Sequence, residues 1–312
     1  MKRVFALMLA LLMLLSFAAC SSGDEDEDED EFDMSVATND LFWSPAENPN
    51  NDKIYYEYVN VDEIEITGFA GSHVPHAITL PAEIDERKVT SIAADAFKSK
   101  TNLTAVTLPD SILSIGDMAF YGCSELKTIN VPAALASLGD AAFAECILLK
   151  TVALPATLTE LGFAAFYNCK SLTSASLPAS ITELPAQIFM NCERLQTVAW
   201  SAAGTAIGEC AFMGCAALES VNMPATLKTV GDYAFSGCAK IAAVTLPATV
   251  TEIGCCAFNG CTALAGVTFA NATGWKVSAD ASAWTSVDVT APAANAVNFK
   301  TTYNNFTWKC AQ

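Results

Sequence analysis

Residues 118–132 read MAFYGCSELKTINVP, and nearly the same stretch returns at Phe143 and again at Phe166. It holds an aromatic residue, a cysteine, several aliphatic residues and a closing proline, without an obvious catalytic group. Self-similarity at a fixed period indicates a repeat architecture, so the period is the first property to measure. The phenylalanine recurs every 23 residues, at Phe97, Phe120, Phe143, Phe166, Phe189, Phe212, Phe235 and Phe258.

Other positions keep a constant distance from this phenylalanine. Leu or Ile stands six residues after it, a small or β-branched apolar residue nine after it, and a larger apolar residue eleven after it. Proline closes the segment in six copies, from Pro109 to Pro247. A cysteine stands three residues after every phenylalanine except the first, where Lys100 replaces it: Cys123, Cys146, Cys169, Cys192, Cys215, Cys238 and Cys261.

Each copy predicts a short strand in the pattern LxxVxLP, ended by a proline that cannot donate to a strand ladder. The other half, such as SIGDMAFYGC at residues 114–123, begins extended, turns at Gly116 and packs Phe120 through a helical or 3-10 turn. No copy can bury its own apolar face. We therefore expect the copies to stack as coils, with phenylalanine over phenylalanine and parallel strands about 4.8 Å apart.

The shared spacing of Phe, Cys, Leu, Pro and Gly resembles the BspA-like leucine-rich repeats of bacterial surface proteins, whose consensus is close to LxxIxLPxxVTxIGxxAFxxCxx. The resemblance spans residues 66–270. It implies an α/β repeat solenoid, a right-handed leucine-rich-repeat coil with parallel β-strands, short 3-10 or helical turns and a 23-residue period. The implied organisation is an N-terminal cap at 34–80, repeats at 81–270 and a C-terminal cap at 271–312.

Aromatic residues outside the repeats are expected to cover the two end coils, because a terminal coil must be capped to stay soluble and unpaired. The expected cap residues are Tyr55, Tyr56, Tyr58, Trp275, Trp284 and Trp308.

One copy departs from the pattern. Around Trp200 the sequence WSAAGTAIG puts Ser201 where other copies have proline and Gly204 where they have an apolar residue. In the coil before it, Pro185 stands at the repeat position where most other copies have glycine. We expect a local bulge or bend there, with the weakest stacking of the array.

The first residues predict export. Residues 1–19 contain Lys2 and Arg3 followed by an apolar run, which is typical of a signal peptide. The sequence SFAAC, which ends at Cys20, resembles the lipobox of bacterial lipoproteins, although Phe17 departs from the aliphatic residue usual at its position. The resemblance implies cleavage before Cys20 and lipid attachment to its thiol. An ordinary secretory signal and an uncleaved anchor helix are the alternatives.

Residues 20–33 then predict an acidic, solvated spacer, because Asp24 to Glu31 are eight consecutive acids that repel one another. A signal for export to the cell surface is the alternative, and a calcium site is disfavoured because EF-hand spacing is missing. With a formal net charge of -18, from 16 basic and 34 acidic residues, the chain is a poor partner for nucleic acid.

No enzyme, metal or cofactor is expected. His73 and His76 have no cysteine nearby, and nucleotide-binding and hydrolase motifs are missing. The repeated cysteines are expected to be small buried hydrophobic residues rather than metal ligands or disulfides. Two further thiol relationships are considered: Cys210 and Cys256 share a repeat position but lie two coils apart, roughly 10 Å, too far to bridge, whereas Cys255 and Cys310 can pair if the C-terminal cap folds back.

The outward positions of the predicted sheet form the candidate binding face. They are small and polar, without the Trp, Tyr and Arg residues that dominate binding hot spots. A strip about 40 Å by 10 Å offers roughly 400 Å², half the usual area per partner, so binding by this face is expected to be weak and to need multivalency. The candidates are Thr107, Thr128, Asn130, Thr151, Ser174, Ser176, Thr197, Ser220, Asn222 and Thr245.

The family resemblance implies an adhesin or protein-interaction module in the bacterial cell envelope, exposed at the outer membrane or cell membrane and in contact with the membrane only through its lipid. The implied partners are host extracellular-matrix proteins, such as fibronectin and fibrinogen, or other cell-surface proteins. Two alternatives stay open. One is an envelope structural protein without a host ligand. The other is a glycan-binding surface protein, which predicts aromatic platforms outside the caps; the sequence shows none there, so a sugar would have to use Trp275 or Trp284.

Overall fold

The structure is a computed structural model that describes residues 41–42, 53–70 and 76–310. The predicted signal peptide, the lipid attachment at Cys20, the acidic tract and His73 lie outside the described residues.

The repeats form a parallel β-solenoid of about nine turns with a period of about 23 residues, as the spacing predicts. Each coil has two strand sides. The strand that precedes the LP motif lies on one side, which we name the long-strand face, and a two-residue strand before the glycine lies on the other, the short-strand face. Pairing is in register between coils, with Val152 beside Ala175 and Ala175 beside Val198.

Through most of the repeats, strands of the long-strand face and of the short-strand face alternate along the chain. In the N-terminal region they are β1 (Leu41–Phe42), β2 (Lys53–Tyr58), β3 (Glu63–Ala70), β4 (Ala77–Thr79), β5 (Glu83–Ile84) and β6 (Arg87–Ile92). In the first repeats they are β7 (Ala105–Thr107), β8 (Ser114–Ile115), β9 (Thr128–Ile129), β10 (Ser137–Leu138), β11 (Thr151–Ala153) and β12 (Glu160–Leu161). The later repeats contain β13 (Ser174–Ser176), β14 (Glu183–Leu184), β15 (Thr197–Ala199), β16 (Ala206–Ile207), β17 (Thr229–Val230), β18 (Ala243–Leu246), β19 (Glu252–Ile253) and β20 (Gly266–Phe269).

The long-strand face is divided into three sheets: β4-β7-β9, β11-β13-β15 and β18-β20. The repeat predicts one continuous ladder of strands on this face, and that prediction is wrong in detail. The second interruption falls at residues 218–224, where the coil around Val221 forms no strand. It lies one coil after the irregular copy at Trp200. In the irregular copy, the Trp200 indole occupies the space that a side chain at position 204 would need, which is why glycine stands there. The indole also donates its Nε1 hydrogen to the Ile181 oxygen at 2.9 Å.

The short-strand face also has two parts, β3-β6-β8-β10-β12 and β14-β16-β17-β19. Glycine follows most of these strands because the backbones of consecutive coils approach closely there. A Cβ atom on Gly116 would lie 2.6 Å from the Ala94 nitrogen, and one on Gly231 would lie 2.6 Å from the Glu209 nitrogen. Such contacts exclude any side chain, so glycine at this position is a packing requirement.

The eight repeat phenylalanines form one internal column. Consecutive rings lie 5.1 to 5.8 Å apart between centroids and are within 19° of parallel, the loosest pair being Phe189 and Phe212. All eight are essentially inaccessible to solvent. Burial of each ring contributes about 1.5–3 kcal/mol, and neighbouring coils provide most of that burial. The predicted stacking is confirmed, and its weakest step borders the irregular copy.

The expected helical turns are minor. The phenylalanine side of each coil is instead a series of turns in which the residues two before and two after the ring adopt left-handed backbone angles, such as Met118 (φ 53°) and Gly122 (φ 70°). At the position two residues before the ring, all eight copies have a non-glycine residue in this conformation. It costs energy for an L-residue, so the stacking of neighbouring coils must hold it in place.

Both ends of the solenoid are covered by antiparallel strands. At the start, β1, β2 and β3 pair antiparallel before β3 joins β6 in parallel. At the end, β21 (Trp275–Ser278), β22 (Thr285–Ser286), a helix α1 (Pro292–Val297), a π-helical turn (Asn298–Thr302) and β23 (Thr307–Cys310) follow the last repeat. Strand β23 pairs antiparallel with β19 and β21, which removes an exposed sheet edge.

The C-terminal aromatic residues continue the ring column. Phe299 meets Phe258 edge-on with centroids 5.2 Å apart, and Trp308 stacks on Phe299 at 4.2 Å. Both are buried, so the last repeat is sealed by aromatic packing. Over the described part of the chain, the structure contains no helix with the length and hydropathy needed to cross a membrane.

Candidate functional site

The central part of the long-strand face, formed by β11, β13 and β15, is the candidate site. Side chains alternate along each strand, so that Thr151 and Ala153 are exposed while Val152 between them is buried. The same alternation holds for Thr197, Val198 and Ala199. Because a strand places successive side chains on opposite faces, each of these three strands presents two small residues outward and one apolar residue inward.

A shallow groove of about 460 Å³ lies over these three strands. It exists because every outward side chain in this region is Ala, Ser or Thr, which leaves the space above the backbone open. No ionisable side chain lines it, so recognition here would depend on hydroxyl hydrogen bonds and shape. The lining residues are Thr151, Val152, Ala153, Ser174, Ala175, Ser176, Thr197, Val198 and Ala199.

Four of the ten predicted binding-face residues meet in this groove: Thr151, Ser174, Ser176 and Thr197. The other six do not lie in it. Thr107 and Thr128 belong to the first sheet, on β7 and β9, and Thr245 belongs to the last, on β18. Ser220 and Asn222 are exposed on the coil that forms no strand. The predicted continuous strip is therefore shorter in the structure, and its middle third is the part with a defined concave shape.

Asn130 has a structural use that the sequence analysis missed. Its Oδ1 accepts the Leu108 N–H at 2.7 Å, and its Nδ2 donates to the Leu108 oxygen at 2.8 Å. The amide thus continues the ladder between β7 and β9 by one residue. Asn130 is exposed and also makes these two hydrogen bonds within the fold, so its role in binding stays a prediction.

The cysteine ladder is a row of hydrogen-bond donors as well as a row of buried side chains. Each of the seven repeat thiols donates to the main-chain oxygen of the phenylalanine 26 residues earlier, at 3.1 to 3.2 Å. The signal was available in the spacing, because a cysteine three residues after its own phenylalanine lies 26 residues after the previous one. Burial raises the pKa of Cys123 and of Cys261 to about 12, which keeps these thiols protonated.

The cysteines outside the ladder lie near the C-terminal end. The Sγ atoms of Cys255 and Cys256 are 3.3 Å apart. The chain does fold back as considered above, since the Cys310 N–H donates to the Thr251 oxygen at 2.9 Å. The Cys310 thiol, however, donates to the Thr273 oxygen at 3.3 Å. Cys255 is therefore placed against its neighbour in sequence rather than against Cys310.

The aromatic platform considered for glycan binding is wrong at Trp275. That side chain is only 2% exposed, packs edge-on against Phe269 with centroids 4.8 Å apart, and donates its Nε1 hydrogen to the Asn271 oxygen. Trp284 is half-buried and has the Lys309 Nζ 5.7 Å from its ring centroid. A sugar needs an open ring face, and Trp275 offers none.

Of the two histidines considered above, His76 lies among the described residues. His76 is exposed, with its Nδ1 3.2 Å from the Asn102 oxygen. Among the residues that the structure describes, no group of three or more His, Cys, Asp and Glu side chains could hold a metal ion.

Comparison with known proteins places this architecture. The family model of the BspA type leucine-rich repeat region matches residues 90–215 and 183–279, in six copies. Among solved structures, the leucine-rich repeat protein of T. pallidum is similar with 28% identity and a TM-score of 0.55, over 68% of this chain and 87% of that chain. A search of the curated proteins finds no significant match.

Two further solved structures are similar. A leucine-rich repeat protein of Bacteroides ovatus shares the fold at 22% identity and a TM-score of 0.51, over 70% of each chain. A leucine-rich cell surface protein of Faecalibacterium prausnitzii has 28% identity and a TM-score of 0.51, over 70% of this chain and 54% of that one. The family model covers more than half of the sequence, and the ring column, the thiol ladder and the parallel coils are its physical counterpart. The chain belongs to the BspA type leucine-rich repeat family.

Proposed function

We propose that the protein is a non-enzymatic adhesin of the bacterial cell envelope, which binds host extracellular-matrix proteins or other cell-surface proteins through its long-strand face. Leucine-rich repeat proteins generally mediate protein–protein interaction, and the similar protein of Faecalibacterium prausnitzii is described as a cell surface protein. The observation that carries the proposal is the groove over β11, β13 and β15, which is lined by small side chains.

The composition of the groove indicates how a partner would bind. Its outward residues offer hydroxyl groups and methyl groups but no charge and no aromatic ring. A partner would insert its own larger side chains between the small residues and hydrogen-bond to hydroxyls such as those of Thr151, Ser176 and Thr197. Without aromatic or arginine anchors, a single contact should be weak.

Weak single contacts become useful when many copies act together. If Cys20 is lipidated, many molecules share one membrane surface, and a second contact forms at a high effective concentration. Anchored display would then convert low affinity into firm attachment between a cell and a protein-coated surface. This step depends on the lipid anchor, which is part of the proposal.

A bead-binding experiment tests the proposal. Beads that carry many copies of the protein are passed over immobilised fibronectin or fibrinogen, and retention is compared with that of two variants. Thr197→Arg places a large charged side chain in the groove, and the matched control Thr182→Arg makes the same change at an exposed position before the short strand β14. Retention should fall at least tenfold for Thr197→Arg and stay unchanged for Thr182→Arg.

Two outcomes would contradict the proposal. Equal retention of both variants would remove the groove as the binding site, and no retention of the unchanged protein on any matrix protein or host cell would remove adhesion. The alternative of an envelope structural protein is separated by protease treatment of intact cells. An adhesin is cleaved from the surface, whereas a protein that faces the periplasm survives.

A further inference from the structure

The last repeat contains an unusual pair of thiols. Eleven cysteines lie in the described part of the chain, and ten of them are buried. Cys255 is the exception, because it is partly exposed. Its Sγ lies 3.3 Å from the Sγ of Cys256, the residue that follows it. A reagent in solution can therefore reach the Cys255 thiol of the folded solenoid, and the Cys256 thiol lies next to it.

The backbone holds both residues of the pair. The Cys255 N–H donates to the Asp232 Oδ1 at 2.7 Å, and the Cys255 oxygen accepts the Tyr233 N–H at 2.8 Å. The Cys256 N–H donates to the Asn304 oxygen of the C-terminal region at 2.6 Å. These bonds hold the backbone on both sides of the peptide link that joins the two residues, whose sulfur atoms are in contact.

We propose that Cys255 and Cys256 form a redox-active dithiol that closes into a disulfide between adjacent residues by exchange with an external small-molecule disulfide. In the first step the Cys255 thiolate, formed by loss of its proton to solvent, attacks one sulfur of the external disulfide, and a thiolate leaves. In the second step the Cys256 thiolate attacks the Cys255 sulfur and expels the second thiolate. The protein loses two protons and two electrons, and the external disulfide, reduced by them, becomes two thiols.

The resulting bond should be easily reduced. Adjacent Cα atoms are about 3.8 Å apart, whereas most disulfides join Cα atoms separated by about 4.4–6.8 Å. A disulfide between neighbours is therefore strained, and strained, accessible disulfides are the labile ones. The pair would respond to the surrounding ratio of thiol to disulfide instead of locking the fold permanently.

The surroundings of the pair make exchange slow at neutral pH. Burial raises the pKa of Cys255 to about 12, helped by the hydrogen bond and charge of Cys256 and by the charge of Asp232. Since the thiolate is the nucleophile, the position of the equilibrium, reached after long incubation, is the quantity to measure.

The test uses the full chain, and the ladder residue Cys261 serves as an internal control because it lies in the same tryptic peptide as the pair. The folded protein is equilibrated with mixtures of reduced and oxidised glutathione, quenched with acid, unfolded, alkylated with N-ethylmaleimide and digested with trypsin. Cleavage after Lys240 and Lys276 releases one peptide with three cysteines, Cys255, Cys256 and the ladder residue Cys261. Closure predicts that this peptide carries one alkyl group, on Cys261, and has lost two hydrogens, whereas the reduced form carries three alkyl groups.

Variants assign the bond. Cys255→Ser and Cys256→Ser should each abolish closure. Cys210→Ser, which changes a thiol at the same repeat position as Cys256 but two coils away, should leave it unchanged. The proposal is overturned if the wild-type peptide carries three alkyl groups at every glutathione ratio. It is equally overturned if Cys255 ends as a persistent glutathione adduct or as a disulfide between two chains, because Cys256 would then not act as its partner.

Discussion

The thiol of Cys123 donates its hydrogen to the main-chain oxygen of Phe97, 3.1 Å away in the preceding coil. One hydrogen bond thus joins the two residue types that define the repeat, and it joins them across the interface between coils. The same bond recurs at every later cysteine of the ladder, so the side chain that fills the core also satisfies a buried carbonyl. The Phe97 oxygen also accepts the Lys100 N–H at 3.2 Å, so an apolar residue of similar size would fill the space and remove one of the two donors to that oxygen.

The raised pKa of Cys123 predicts a loss of stability at alkaline pH. Burial raises the pKa of Cys123 in the folded state to about 12, from an ordinary value of 9.0, so between these values the folded state retains a proton that the unfolded state releases. The stabilisation is complete below pH 9 and disappears as the pH rises through 12. Urea unfolding of the wild type and of Cys123→Ala should give a difference in unfolding free energy that shrinks across this range. A constant difference would show that the thiol ionises equally in both states.

The ring column predicts a large contrast between two phenylalanines of one coil. Phe166 is fully buried between Phe143 and Phe189, whereas Phe163 is 40% exposed. Phe166→Ala should lower the free energy of unfolding by about 3–5 kcal/mol because it leaves a cavity in the column. Phe163→Ala should cost less than about 1 kcal/mol. Thermal unfolding followed by circular dichroism measures both, and similar losses would contradict the assignment of the core.

The close approach of consecutive coils predicts that one glycine cannot be replaced. Gly231→Ala would place a Cβ atom 2.6 Å from the Glu209 nitrogen, and the backbone there cannot move without separating two coils. We expect a loss of about 2 kcal/mol or more, in the range of overpacked sites. Gly68→Ala is the matched control, because the nearest atom to its Cβ would be Tyr55 Cδ2 at 3.6 Å. The prediction fails if the two variants unfold at the same temperature.

The interruption of the long-strand face predicts fast hydrogen exchange in one coil. Ser220, Val221 and Asn222 take part in no backbone hydrogen bond in the described part of the chain. Their amides should exchange within the earliest time points, whereas the amides of β13, paired on both sides, should be protected by orders of magnitude. Mass spectrometry of peptic fragments measures the difference. Equal protection of the two segments would mean that the ladder is continuous in solution.

Much of this fold could be predicted from spacing alone. A 23-residue period with an invariant ring position predicts stacked coils, because no other arrangement buries eight phenylalanines of one chain equally. The divided sheet could not be predicted, since the coil around Val221 keeps the repeat residues Leu218, Val221 and Pro224 and yet forms no strand. The role of Asn130 could not be predicted either, because its side-chain amide resembles a group for binding a partner, whereas in the structure it hydrogen-bonds to the backbone of Leu108.

The candidate groove was predicted in composition but not in extent. Alternation along the strands identified the outward hydroxyl residues, including Thr151 and Ser176. The shape of the groove depends on three strands that pair with one another and with no strand beyond them, which is a property of the assembled sheet. The contact between Cys255 and Cys256 could not be predicted from the sequence either, because adjacent side chains in an extended strand would point to opposite faces.

The repeated contact between coils also bears on how the gene can change. Each coil meets its neighbours through the same rings, thiols and glycines, so the removal or duplication of one unit from the regular region joins surfaces that already match. Such an event spans 69 nucleotides, three for each of 23 residues, and preserves the reading frame. A chain with one regular coil more or fewer should therefore keep the same contacts between coils and the same two sealed ends.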